Sequence, residues 1–535
     1  MQPTLPKTVV TEPAISVSIG TADGVVERGR VLSGRLLLLT AVLFLVPLLT
    51  YWSATFHPFG LRDDYSNIRE AHEEVGKVVS FCASHARPLY GWMLQSTFGQ
   101  VSSVEGLQWL RLMSSLLLGA LSLVSFRGFR ALGWSFNSSL CFAVLLALIP
   151  SSQVIAGWAI AWPYAVAALL SFGAFFTVDA ARPMAGRLRT SRMIGQWLVA
   201  FGLLLVSALI YQSSAMFYVV PMAAALIARR RRNTRRTLRW AGLHLGFVVA
   251  TMALAYLTMS VLYATHVFVK SGRVAFEHRW FDKLLWFLHE PLPNALSLFV
   301  LNDDNGRDHF WYLTCATLAG LILVAGAVLE WRRYGRARGL IWVAALVTLP
   351  TFAFAISLVA SEHYATYRTI LAMTAVLLCF LVASVAALTE RWNMSTRRML
   401  AGAVAIVAYL TAQHHAFALI AVPQGNEWQL IMQGAKRVHL PPPHGEAAKP
   451  RIFAIASALD DLSTSSIYHD EFGSLSTNSE WVPREMFKRA MHELHPDVAN
   501  LDSRYVFATA ANLPADQNFD VIIDLHRLRQ YYANN

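Results

Sequence analysis

Charge is scarce in this chain. Asp, Glu, Lys and Arg together make up 15% of its 535 residues, against about 25% in an ordinary soluble domain. Cysteine is scarcer still: Cys82, Cys141, Cys315 and Cys379, three of them inside apolar runs and no two at a C-x-x-C spacing. That argues against a disulfide framework and against a cysteine-held metal. The first 30 residues hold no apolar core of signal-peptide type before the first long apolar run. Residues 1–32 are instead expected to form a disordered cytoplasmic tail, rich in Thr, Val, Pro and Gly. No nucleotide-binding signature occurs, which disfavours a nucleotide-sugar substrate. No internal repeat occurs, which disfavours a transporter or flippase built from related halves.

What the chain has in abundance is apolar sequence: 55% of residues are hydrophobic and the mean hydropathy is +0.42. Runs of about 20 apolar residues recur between positions 33 and 421, each long enough to cross a hydrocarbon core as a helix. The fold class expected is therefore an all-α polytopic membrane protein. Spans are expected near 36–54, 105–126, 134–150, 154–177, 240–266, 309–330, 340–360, 367–389 and 399–421. The run 194–228 is too long for one span, since a helix of that length would reach about 52 Å. It is read as two spans turning back near Tyr211-Gln212-Ser213-Ser214, which brings the total to about eleven.

The net charge of +12 sits in clusters: before the first span, at Arg127 and Arg130, Arg182–Arg192, Arg229–Arg239, Arg332–Arg338 and Arg391–Arg398. All fall on one side of the eleven-span scheme. By the positive-inside rule that side is cytoplasmic, so the charge reports topology rather than nucleic-acid binding. The N-terminus is placed inside, and two long loops, 55–104 and 267–308, outside, in a bacterial inner membrane. Within the first loop, Ile68, Val75, Val79 and Cys82 recur at helical spacing and predict one amphipathic helix lying on the membrane surface. A second short helix is predicted from Arg87-Pro88 to Phe98, with Pro in its first turn.

Residues 422–535 change character. Pro441-Pro442-Pro443 reads as a linker. Beyond it, 451–457, 505–510 and 521–525 read as buried strands and 481–494 as a helix. This predicts a small C-terminal α/β extracytoplasmic domain that either stabilises the chain or docks an acceptor.

Asp63-Asp64, directly after the first span, is the centre on which the chemistry is expected to turn. Ionisable groups at membrane depth are costly and therefore functional candidates. Arg368, in Ser361-Glu362-His363-Tyr364-Ala365-Thr366-Tyr367-Arg368, and Arg111 lie at outer helix ends, where a lipid phosphate would rest and where a guanidinium fork could grip it. The alternative for each is a snorkelling or structural arginine. Arg87, ahead of Pro88, either points into the same site or caps a surface helix. Tyr211 and Gln212 either bond sugar hydroxyls or satisfy backbone at a turn. Trp158 and Trp162 fit an interface belt better than a sugar platform. Tyr65, Glu362 and His363 are further candidates. Asp63, Asp64, Asp303, Asp304, Glu362 and His363 are hard-cation ligands by type, so Mg or Mn is the metal the site would take, although no spacing is diagnostic.

An N-terminal span followed by Asp-Asp, an Arg in the same loop, a later Tyr-Gln-Ser inside a transmembrane hairpin, and an Arg at an outer helix end resemble the GT-C glycosyltransferases. Among these the layout is most similar to the serotype-converting (Gtr-type) glucosyltransferases that modify bacterial O-antigen in lipopolysaccharide. The likeness covers most of the chain in layout but only about a dozen residues in motif. It implies a polyprenyl-phosphate sugar as donor and a glycan or glycoconjugate of the cell envelope as acceptor. It also implies Asp63 or Asp64 as base or metal ligand, and Arg87, Tyr211, Gln212 and Arg368 as donor-binding groups. The competing readings are an O-antigen polymerase or ligase, which would rely on outer-loop Arg and His, and a lipid-linked-glycan transporter.

Overall fold

The computed structural model describes residues 22–181, 187–229, 233–303, 309–441, 449–456, 468, 471–515, 517–526 and 528. The expectations for the tail before residue 22, and for Arg182, Asp304, Pro442, Pro443 and Ser457, lie outside them. The chain divides into Met1–Val42 and Leu43–Asn535, and the contacts that follow lie within the second unit.

The first helix, α1, runs Ala22–Thr55. Three short helices follow: α2 Asp63–Glu73, α3 Lys77–Ser84 and α4 Pro88–Phe98. The single amphipathic surface helix expected across 68–82 is thus two. Gly76 takes a left-handed φ of +88° that breaks it, and Val75, expected on the apolar face, is 86% exposed while Ile68 is fully buried. Then come α5 Leu107–Ala131, α6 Phe136–Leu146, α7 Pro150–Gly157, α8 Trp162–Ala180, α9 Arg187–Ile210, α10 Gln212–Ala215, α11 Val219–Ala228 and α12 Thr234–Ala264. Between α12 and the next long helix lie α13 Trp280–His289 and α14 Pro291–Leu296. The rest of the bundle is α15 His309–Tyr334, α16 Arg336–Ala353, α17 Ala355–Val359, α18 Leu371–Leu388, α19 Met394–His414 and α20 Val422–Lys436.

Eight of these helical segments are long and apolar enough to cross a membrane, nine if the bent pair α6–α7 is one span; the chain is a multi-pass membrane protein. Among the described residues that criterion does not pick out all eleven of the expected spans. Gln212–Ala228 is a shorter apolar helix, and α16 opens with Arg336 and Arg338, which lowers its hydropathy. Ser151-Ser152-Gln153, which fall between the spans expected at 134–150 and 154–177, are instead buried in α7. The three side chains donate to the carbonyls of Tyr367, Leu146 and Leu148, which is how polar groups survive at that depth.

Burial sorts the bundle into layers. In α18 and α8 about three-quarters of the apolar window is buried (78% and 72%), whereas in α1, α9, α12 and α15 only 22–28% is. The first pair forms the protein core and the second presents apolar faces outward, as a lipid boundary requires. Close approach of α5 to α8 depends on Gly128, where a Cβ would come within 2.8 Å of Phe172 and Phe176.

α19 continues through a π-helical stretch, His415–Ala421, into α20, so the boundary expected at 422 falls inside one continuous helix. The C-terminal segment adds three parallel strands, β1 Arg451–Ile455, β2 Val506–Ala510 and β3 Val521–Asp524, in the order β2-β1-β3. α21 Val482–Leu494 supplies the crossover that a parallel β1–β2 pair needs. α20 and α21 pack on each other and onto β3 and β2, with Phe487 stacked on Phe507 at 4.8 Å. Strands and helix fall where the sequence places them, within one or two residues.

Candidate active site

A cavity of about 990 Å³ opens where α2, the start of α4, the break at Tyr211, α12, α17 and the segment 361–369 converge. One end is polar, with Asp63, Asn67, Arg87, Tyr211, Gln212 and Arg368 on its wall. The other is an apolar trough that includes Val248 and Met252 of α12, about 16–22 Å along the helix from Tyr263, whose hydroxyl meets the Arg87 turn, with Ile356 of α17 on the same cavity wall.

The aspartates owe their place to an unusual turn. Arg62 takes φ +43°, ψ −100°, a conformation costly for a residue with a side chain. Its N–H donates to Ser476 Oγ at 2.9 Å and its Nη2 to Ser474 Oγ at 2.9 Å. The C-terminal segment therefore holds the strained residue, and α2 begins on the next one. Asp63 and Asp64 occupy the first turn of α2, where the helix dipole favours negative charge.

The two carboxylates then diverge. Asp63 lines the cavity. Asp64 lies behind it, fully buried, with Oδ2 accepting the Leu61 N–H at 2.8 Å. Burial pushes the Asp64 carboxyl up to about 7, against the opposing pull of the Leu61 amide and the Arg111 charge. Tyr65 is also buried outside the cavity: its hydroxyl accepts the Gly60 N–H at 3.1 Å and its ring stacks on Trp428.

Arg87 precedes α4 in a turn fixed from several directions. Ala86 has φ +61°, its N–H donates to the Tyr263 hydroxyl at 3.0 Å, and its carbonyl accepts from Gln212 Nε2. Gln212 Oε1 in turn accepts from Arg87 Nε at 3.3 Å, and the guanidinium lies 4.5 Å over the Tyr211 ring. Tyr211 interrupts the helix between α9 and α10 and stacks on Tyr164 at 3.9 Å. Neither Nη nitrogen of Arg87 meets an acceptor among the described residues.

Arg368 approaches from the 361–369 segment. It lies 4.4 Å over the Trp158 ring, bonds the Tyr364 hydroxyl through Nη2, and sits 3.6 Å from Glu471 Oε1 through Nε. Its Nη1 meets no acceptor among the described residues. Glu471 also accepts the Tyr367 N–H at 2.8 Å. The two arginines are close enough for each charge to act on the other, so the polar end of the cavity has a doubly cationic wall with Asp63 on the same cavity.

Other candidates fall elsewhere. Arg111 is fully buried and does not line this cavity. Nε, Nη1 and Nη2 donate to the carbonyls of Thr55, Phe59 and His57 at 3.1, 2.8 and 2.8 Å, with the Phe59 ring 4.1 Å away. It pins the segment leading into the aspartate turn. Glu362 lines the cavity and lies 3.6 Å from Arg273. His363 is exposed and packs on Trp286. Asp303 is buried outside the cavity wall. Among the described residues no three of His, Cys, Asp or Glu converge as a metal would need. A cation at Asp63 would have to complete its shell with water and substrate oxygens.

Several groups at this site were not foreseen. Glu471, Ser474, Ser476 and Trp481 belong to the C-terminal segment, and no local spacing ties Glu471 to residues 103 and 104 positions earlier or Ser474 and Ser476 to one 412 and 414 positions earlier. Asn67 and Tyr364 stand in the two stretches singled out in the sequence but carry no pattern of their own.

No family model matches the chain, and no curated protein matches it. Among solved structures it is similar to an oligosaccharyltransferase of Archaeoglobus fulgidus in complex with Zn and sulfate, with a TM-score of 0.42 and 10% identity over 85% of this chain and 61% of that one. It is similar also to that enzyme tethered with an acceptor peptide containing the NVT sequon (TM-score 0.40, 12% identity, 85% and 63% covered). A third is AglB of the same organism in complex with an inhibitory peptide and a dolichol-phosphate (TM-score 0.40, 10% identity, 85% and 63% covered). The chain spans less than two thirds of the length of each.

Proposed function

We propose that this protein is a membrane glycosyltransferase. It moves a sugar from a polyprenyl-phosphate donor to a cell-envelope glycan or glycoconjugate, at the outer face of the membrane. The observation that carries the reading is the two-ended cavity: open guanidinium forks and a carboxylate at one end, an apolar trough between α12 and α17 at the other. A ligand matching both ends has an anionic head and a long apolar tail.

In this reading the prenyl chain lies in the trough and the phosphate sits between Arg87 and Arg368. The acceptor hydroxyl gives its proton to Asp63 as its oxygen bonds the anomeric carbon. The bond from that carbon to the phosphate oxygen breaks, and its electron pair leaves with the phosphate. A phosphodiester becomes a phosphate monoester, so negative charge grows at the arginines as the transition state forms. Their desolvated, pre-stacked position over Tyr211 and Trp158 spares reorganisation at that moment. Asp64 and Arg111 position the turn and touch no substrate. A bound Mg or Mn would supply further charge at the phosphate, held by Asp63 with substrate oxygens.

The test is a comparison of envelope glycans by mass spectrometry in cells with and without the intact gene, paired with binding of polyprenyl phosphate to the purified protein in nanodiscs. The reading requires a sugar lost from the glycan and micromolar or tighter binding that weakens in Arg87→Ala and Arg368→Ala. Identical glycans, or binding indifferent to both arginines, would reject it.

A further inference from the structure

We propose that Asn67 and Trp481 form the acceptor subsite, and that the group bound there is an uncharged saccharide. The inference rests on the transferase reading and adds the acceptor's chemical class to it.

Asn67 is nine-tenths buried, at 9% exposure, and lines the cavity. No described residue hydrogen-bonds its side chain. A buried amide with both donor and acceptor capacity is expected to have partners, and here the cavity is where they would come from. Its position fits a substrate group. Asp63, Asn67 and Glu70 recur at helical spacing on one face of α2, so Asn67 lies one turn, about 6 Å along the axis, from the proposed base. A hydroxyl held by Asn67 and the reacting hydroxyl at Asp63 then belong to one sugar ring or to adjacent ones.

Trp481 supplies the second element. It lines the same cavity yet is 44% exposed, just ahead of α21. α21 is tied to α2 by Glu485, one turn further on, which pairs with Arg69 at 2.7 Å. A large exposed indole on a cavity wall that also carries an unpaired amide suits a ligand with an apolar face and polar edges. A pyranose has both. The flanking charge bears on this further: Asp63 and Glu70 stand on either side of Asn67, and Glu70 is paired with Lys77 at 3.0 Å and Arg69 at 3.5 Å, which leaves Asp63 as the nearer influence. An anionic acceptor group at Asn67 would lie one helical turn from the Asp63 carboxylate, on the α2 side of the cavity away from the proposed phosphate site, whereas a neutral sugar would find there an acceptor for its hydroxyls.

The experiment uses the full chain. Asn67→Ala, Trp481→Ala and Trp481→Phe are expressed in cells lacking the intact gene, and the modified fraction of the envelope glycan is measured. Polyprenyl phosphate affinity is measured on the same variants in nanodiscs, which also shows that each is folded. Both Ala variants are expected to lose at least tenfold in modification with the polyprenyl phosphate Kd within twofold of the parent. Trp481→Phe, which keeps an aromatic face, should retain more than half. Full modification in both Ala variants, a Kd that weakens in step with modification, or an acceptor residue carrying phosphate or carboxylate would each overturn the inference. Failure of the unsubstituted protein to bind polyprenyl phosphate would instead bring down the donor reading on which it rests.

Discussion

Asp179 and Asp63 mark two ends of the bundle, and they keep different company. Asp179 sits near the end of α8, fifteen residues and about 22 Å from Tyr164 at the cavity. Arg229 grips it through both Nη nitrogens, Trp240 Nε1 donates to it at 3.0 Å, and His244 stands 4.0 Å away, itself bonded to the Tyr218 hydroxyl at 2.7 Å. Arg338 at the same level is likewise taken up, by Glu330 and the Leu226 carbonyl. At the cavity end, Arg87 and Arg368 are held firmly through Nε, ring faces and neighbouring side chains, but part of each fork is left open. Arg111 shows that the open forks are not a consequence of depth, because in the same region its three nitrogens all reach carbonyls. Charge used for structure is saturated by protein. At the cavity, part of each fork meets no acceptor among the described residues.

Substitution of one aspartate at each end should separate these roles most sharply. Asp63→Asn is expected to lower transfer by roughly 10²–10⁴-fold, the range of a lost general base, with polyprenyl phosphate affinity and thermal stability near the parent's. Asp179→Ala should do the reverse. It leaves the half-buried Arg229 without its carboxylate partner, which costs about 1–3 kcal/mol of stability, while transfer per folded molecule stays within about twofold. Thermal unfolding and single-turnover transfer on both variants check the pair. A loss of transfer at Asp179, with the protein folded, would erase the distinction between the ends.

The arginines offer a finer cut. Arg368→Lys keeps the charge but loses the planar fork and the stack on Trp158. A 10- to 100-fold loss of transfer, about 1.4–2.8 kcal/mol, is expected with weaker polyprenyl phosphate binding. Arg111→Lys cannot reach three carbonyls at once, so its expected signature is a lower unfolding temperature with unchanged polyprenyl phosphate Kd in the folded fraction. Equal phosphate-binding losses in the two variants would show that Arg111 senses the ligand after all.

Much of this arrangement was legible in the chain itself. Apolar run length fixes where the helices lie, and the strands of the C-terminal domain announce themselves by short β-branched runs, because both signals are local. The neighbourhood of Asp63, Arg87, Tyr211, Gln212 and Arg368 could be anticipated because each stands beside a helix end or break. What stayed hidden was non-local. Whether a buried arginine is saturated depends on the carbonyls it reaches, and those of Thr55, His57 and Phe59 face Arg111 only once α1 and α5 are packed. Ser476 meets Arg62 across 414 positions and Glu471 meets Arg368 across 103, and that no described residue bonds the Asn67 side chain is visible only in three dimensions. The surface helix expected across 68–82 breaks at Gly76, where one left-handed residue outweighs the hydrophobic repeat around it.

Asp64 shares the turn with Asp63 but not the cavity, so its substitution is expected to be read in stability before transfer. Its carboxyl is raised from 3.8 to about 7, chiefly by burial. The folded protein therefore binds more protons than the unfolded chain between those values. Asp64 contributes stability that is fully present below pH 4, falls as pH rises through the interval, and is lost above about 7. The shift of about three units corresponds to at most about 4 kcal/mol of stability. Asp64→Asn keeps an oxygen for the Leu61 N–H and removes the ionisation. Relative to the parent it should unfold at a higher temperature at pH 8 and gain little at pH 4.5, with transfer within about tenfold throughout. Thermal unfolding of both proteins in nanodiscs at the two pH values measures the difference directly. An advantage of Asn that is the same at both would mean that Asp64 does not titrate in this range, and a transfer loss as deep as that of Asp63→Asn would place both carboxylates, rather than one, in the reaction.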